Sequence, residues 1–167
     1  MTDLLNFLGW YLTITVIGLA ALPIAFRFFP NLTSKGFAFA RPLGLLIWGF
    51  FFWLLCSLGI LQNNTGGVLM AFAILIAFSV LSSLNGRWGE LKGWLKANVK
   101  TIVSMEVFFF LAFAFWTFIR AANPDVTYTE KPMELAFINA ILKSPEFPPL
   151  DPWLSGYAIS YYYFGYV

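Results

Sequence analysis

"TIVSMEVFFFLAFAFWTFI", residues 101–119, carries one charge in nineteen positions, at Glu106. A helix needs about 20 predominantly apolar residues to cross a hydrocarbon core, so this stretch predicts a membrane span. Reading outward from it, Leu4–Phe26, Leu43–Leu61 and Gly67–Leu84 are apolar over similar lengths, and a fifth run begins near Gly156 and is cut off at Val167. Over the whole chain 60% of residues are hydrophobic and 11% charged, against about 25% charged in a soluble domain. Such a chain cannot cover a water-facing surface. The expected architecture is therefore an all-α polytopic transmembrane helix bundle, with four complete spans and the start of a fifth. The first span is not expected to be a cleaved leader, because the charge on its amino side is Asp3 where a signal peptide carries lysine or arginine.

The residue inventory removes several kinds of chemistry. There is no histidine, and Cys56 stands alone, which excludes an internal disulfide, a multi-cysteine metal site, and Ser-His-Asp, Cys-His or histidine–zinc arrangements. Acid–base chemistry near neutral pH falls to carboxylates. The basic residues alternate with the spans. Arg27, Lys35 and Arg41 follow span 1 without an acid, "QNNTGG" between spans 2 and 3 is uncharged, and Arg87, Lys92, Lys96 and Lys100 precede span 4 against Glu90. Residues 120–155 carry three bases and five acids. The positive-inside rule then places the amino terminus outside, both basic loops in the cytoplasm and the acidic loop outside.

Three smaller features accompany the spans. Glu106 lies six residues beyond Lys100, about 9 Å along a helix. That distance suits a contact at the interface or a hydrogen bond between helices, and an ion or proton path is the alternative. Trp88–Lys100 mixes tryptophan and leucine with lysine, as an anchor lying flat at the headgroups would. Asn63-Asn64-Thr65 matches a glycosylation sequon, in a loop too short to hold it clear of the membrane.

The acidic loop has internal order. Asn123-Pro124-Asp125 is a turn signal. Pro132 suits the first turn of a helix, and "PMELAFINAILK" up to Lys143 places Met133, Phe137, Ala140 and Ile141 on one stripe. This short apolar helix should lie along the membrane face. "SPEFPPLDPWLSG", residues 144–156, holds four prolines, which forbid a helix. The tyrosines Tyr161, Tyr162 and Tyr163 then span about 200° of a helix surface, so they form either an interfacial belt or, in part, the wall of a polar cavity. Glu130 precedes the helix start. A carboxylate there has three uses: as a general base on a hydroxyl, as part of an oxygen ligand set for a divalent cation, or as part of a solvated face.

The run "TEKPMELAFINAILKSPEFPPLDPWLSGYAISYYYFGY", with "NPD" before it, resembles a prokaryotic membrane protein family marked by its triple tyrosine. "EKPM", "PPLDPW" and "YYYFG" carry the resemblance together over Arg120 to Tyr166. This chain has Glu134 where that family has aspartate. The family in turn resembles the GT-C glycosyltransferases, which take a sugar from a polyprenyl-phosphate donor on the outer side of the membrane. The resemblance implies that residues 101–167 begin a GT-C-like core, that 1–100 are an amino-terminal three-span addition, and that the chain is the amino-terminal part of a longer enzyme. It puts Glu130 at the catalytic acid, with Asp125 and Glu134 as rivals, and implies a lipid-linked sugar as partner and no nucleic acid. Lys131 would stabilise the departing phosphate, while Asp151, Trp153 and the tyrosines would contact the sugar. The resemblance assigns no cofactor and leaves a divalent cation as an open alternative. Two other functions fit the residues. One is a transporter or channel subunit with Glu106 on its path and the acids as an outer vestibule; the other is a non-catalytic envelope scaffold.

Overall fold

In the computed structural model, which describes residues 2–127, 130–154 and 156–167, helices α1 (Thr2–Phe28), α2 (Ala40–Ser57), α3 (Thr65–Ser82), α4 (Arg87–Ala97), α5 (Val99–Ala122) and α6 (Lys131–Lys143) follow one another in chain order. α1, α2, α3 and α5 are long and apolar enough to cross a membrane. They coincide with the four predicted spans to within a few residues. α4 covers most of the Trp88–Lys100 stretch, and α6 is the short helix expected after Pro132. Among the described residues the extended pairing is a single bridge between Leu150 and Ala158. Two compact units make up the chain, Met1–Leu46 with Leu75–Pro124, and Ile47–Ile74 with Asp125–Val167.

Close backbone approach builds the first unit. A Cβ on Gly44 of α2 would lie 2.8 Å from both Cγ2 and the carbonyl oxygen of Ile17 on α1, so only glycine lets the two helices meet there. Small residues at helix contacts are how spans pack where lipid offers no hydrophobic drive. Around this contact Leu22, Ala25, Phe37 and Ala40 are buried with Leu91 of α4, which fastens α4 to the end of α1. Farther along α1, Phe7 and Tyr11 pack against Phe109, Phe110 and Phe113 of α5, with ring centroids 5.2–6.0 Å apart. None of the residues of α5 is buried, as suits a span that faces lipid.

Among the described residues, one ion pair lies within this unit. Arg41, in the first turn of α2, donates from Nη2 to Oε2 of Glu106 on α5 at 2.5 Å, and its guanidinium carbon stands 4.0 Å from the centre of the Phe109 ring. A cation at a helix N-terminus opposes the macrodipole; the Glu106 carboxylate offsets it. Gly18 makes room, since a Cβ there would come within 2.6 Å of Arg41 Cγ. Of the two roles open to Glu106, the contact between helices is the one observed.

The second unit is organised around Phe52, Cys56, Ala71, Ile141 and Phe147. Asn64 caps α3, its Oδ1 accepting from Gly67 N at 2.9 Å. Gly67 is required because a Cβ would sit 2.1 Å from the Gln62 carbonyl oxygen. Asn63 closes the other end of α6. Its Nδ2 donates to the carbonyls of Ile141 (2.6 Å) and Ser144 (2.7 Å), and its backbone N–H to Pro145 (2.8 Å). A helix leaves its last carbonyls without partners, and one asparagine supplies two donors to this end. The sequon asparagine is thus engaged through the nitrogen that a glycan would occupy.

The carboxy-terminal stretch differs from expectation. Residues 156–167 hold no α-helix among those described, only a 3-10 turn at Phe164–Tyr166. Helix nucleation fixes several residues for one hydrogen bond, and segments shorter than about 12–15 residues are marginal alone. Here the backbone finds other partners, with Asp151 N donating to Tyr157 O and Ile159 N to Pro149 O, at 2.8 and 2.9 Å.

Candidate active site on helix α6

α6 starts where Pro132 permits it and stops where Ser144 turns extended. The predicted stripe is the face it buries. Phe137 is 3% exposed and Ile141 5%, while Met133 and Ala140 are half-buried. Phe137 is the hub. Its ring meets Trp153 at 5.6 Å, Tyr161 at 5.8 Å and Tyr166 at 5.9 Å. The proline-rich segment and the tyrosine segment are thereby folded back onto the first turns of α6.

The acids of that turn act through their charge on these aromatics. Glu130 occupies the N-cap position, exposed and without a side-chain capping bond, and Glu134 is half-buried in the first turn. The Tyr161 hydroxyl donates to Tyr162 at 2.9 Å. That bond first, then burial and the charges of Tyr162 and Glu130, push the Tyr161 phenol up to about 12. Tyr166 is raised by burial and then by the charges of Glu134, Tyr162 and Glu130. One neutral phenol cluster therefore feels both carboxylates.

The sign of the Tyr161 shift gives a test. A phenol raised on folding stabilises the fold fully below pH about 10, the ordinary tyrosine value, and that stability is lost as pH rises through about 12. Subtracting the alkaline absorbance titration of Tyr161→Phe from that of the native chain should isolate a component near 12. A difference centred near 10 would show that Tyr161 is not held in this cluster.

The other predicted residues separate. Lys131 Nζ donates to the backbone carbonyl of Asp125 at 2.9 Å, which pins the approach to α6 and engages the lysine expected to meet a departing phosphate. Asp125 itself is exposed. Asp151 accepts from the backbone N–H groups of Trp153 and Leu154 at 2.8 and 2.9 Å, an Asx turn. Its carboxylate fixes the turn that presents Trp153, 60% exposed. Tyr163 parts from its two neighbours, accepting from Trp53 Nε1 at 3.1 Å and packing on Phe147. It belongs to the core of the second unit, whereas Tyr161 and Tyr162 stay at the acids. Among the described residues no group of three or more carboxylates or cysteines is placed to hold a metal ion. Tyr128, Thr129 and Ser155 of the predicted loop lie outside the described residues.

Two contributors were not foreseen. Tyr166 was not singled out although it shares the Phe137 cluster. Asn63 holds α6 from a loop 78 positions away, and no local signal marks such a pair.

A family model described as "Uncharacterized membrane protein (DUF2298)" matches residues 47–167. The chain belongs to this family. The DUF2298 match takes in α6, the proline-rich segment and the tyrosines, and extends well upstream of the Arg120–Tyr166 run that carries the triple-tyrosine resemblance. No curated protein and no solved structure matches the chain.

Proposed function

We propose that this DUF2298 protein contributes the acceptor-activating end of a membrane glycosyltransferase, moving a sugar from a polyprenyl-phosphate donor to a hydroxyl on the outer face. One observation carries it. Glu130 is exposed at the start of α6, its carboxylate making no hydrogen bond or ion pair among the described residues, and its charge is felt by Tyr161, whose ring, with those of Tyr162 and Trp153, remains accessible. An uncommitted carboxylate next to open aromatic faces is what a sugar-handling site needs, the ring faces lying on C–H groups and the carboxylate taking a hydroxyl proton.

In the displacement, the acceptor hydroxyl oxygen attacks the anomeric carbon as the bond to the lipid phosphate breaks. Glu130 accepts the hydroxyl proton, and the phosphate leaves with its electron pair, needing no general acid. Glu134, half-buried beside Tyr166, is second in line, and Asp125 third. Orientation rests on the loop charges, with 120–155 outside. Residues 1–100 serve as an addition that anchors a core beginning at 101. A transporter is less well supported, since Glu106, the in-span acid it would use, is tied to Arg41.

The test uses the gene in its host. Glu130→Gln, Glu134→Gln and Asp125→Asn are made singly, membrane levels are checked, and surface glycans and lipid-linked sugars are profiled. Glu130→Gln should cut transfer by about 10²-fold or more, with one glycan lost and its lipid-linked donor accumulating. Normal glycans in all three variants, beside a defect in the deletion strain, would move catalysis elsewhere. A deletion strain with unchanged glycans would end the glycosyltransferase proposal.

A further inference from the structure

The Arg41 guanidinium meets Glu106 through Nη2 and stands over the Phe109 ring. Its Nε, by contrast, is shut off from solvent and makes no hydrogen bond among the described residues. Thr15 Oγ1 on α1 is buried and unpartnered in the same way. A helical threonine can settle its hydroxyl on the carbonyl four residues back, as Thr13 does on Gly9 at 2.8 Å. Thr15 does not take that bond. Buried polar atoms in folded proteins find a partner in the great majority of cases, so two orphans in one neighbourhood call for an explanation.

Both residues line one cavity of about 20 Å³. Gly18 and Glu106 line it as well, with Leu22 and Phe37 on its apolar side. A single water needs about 10–15 Å³ and two to four polar partners, and this cavity offers the room and three such residues. Charge decides which kind of ligand fits. An anion would face the Glu106 carboxylate, and a cation would face the Arg41 guanidinium. A neutral molecule that both donates and accepts suits all three polar side chains, and water is the one small enough.

We infer that this cavity binds one internal water, which accepts from Arg41 Nε and bonds to Thr15 Oγ1, with Glu106 as its further acceptor. α1, α2 and α5 are each long and apolar enough to cross a membrane, and lipid cannot satisfy a polar group left between them. The water does so. It extends the Arg41–Glu106 pair to α1, so that three spans meet at one polar node.

The test uses the full chain in detergent micelles with nitrogen-15-labelled arginine, read by nuclear Overhauser transfer from water to the Nε–H protons. The signal lost in Arg41→Lys identifies Arg41. Its Nε–H should show a cross-peak to water with the sign of a long-lived bound molecule, whereas exposed Arg120 should show only fast exchange with bulk solvent. Thr15→Val keeps the shape of the side chain and removes the hydroxyl. Losing one bond to the water should make that variant unfold about five-fold more readily. A hydroxyl with no partner would have the opposite effect, its removal making the chain more stable. Absence of a bound-water cross-peak at Arg41, or a Thr15→Val chain at least as stable as the native one, would overturn the inference. Should Thr15→Val be too unstable to purify, the cross-peak in the native chain decides by itself.

Discussion

Arg41→Met alone should destabilise the folded chain by about 3–5 kcal/mol, the range for breaking a buried ion pair by removing one partner. The change leaves the Glu106 carboxylate facing Phe109 and the α1–α2 contact without its cation. Glu106 keeps 30% of its side-chain surface open, whereas Arg41 keeps 11%, so water can partly rehydrate the carboxylate and the lower end of the range applies. Combining Arg41→Met with Glu106→Leu should recover most of the loss, because two apolar side chains replace two desolvated charges. Unfolding of the four members of this cycle in mixed micelles measures the coupling. A double variant whose loss equals the sum of the single losses would mean that the two residues do not act as a pair.

The second large effect is expected from Phe137→Ala. This change removes the hub ring that joins α6 to Trp153, Tyr161 and Tyr166, and aromatic truncation at a buried position costs about 3–5 kcal/mol. Loss of the near-ultraviolet circular dichroism of these side chains, with faster tryptic cleavage after Lys143, would report the release of α6. Phe137→Leu keeps apolar volume without the edge-to-face contacts and should fall between native and alanine. Native-like spectra and protease resistance in Phe137→Ala would show that the helix is held elsewhere, with the Asn63 bonds as the remaining anchor.

These two sites mark what could and could not be read ahead of the structure. The sequence by itself determined the spans, because twenty apolar residues in lipid have one way to satisfy their backbone groups. It also determined α6 and its buried face, through Pro132 and the spacing of Phe137 and Ile141. By lacking histidine it made carboxylates the main candidates for acid–base chemistry near neutral pH. Tertiary structure decided which partners those residues found. That Arg41 meets Glu106 across 65 positions, and that Asn63 closes α6 across 78, depends on chain paths that no local pattern encodes. The triple tyrosine shows the same division most plainly. Three identical neighbours met different surroundings, Tyr163 joining Trp53 while Tyr161 and Tyr162 bond to each other near Glu130. The backbone left the helical path expected there because Tyr157 and Ile159 pair with the proline-rich segment instead. Composition sets which solvent each segment must face, whereas only the packed chain sets which side chains share a surface, because their contacts form between segments far apart in sequence.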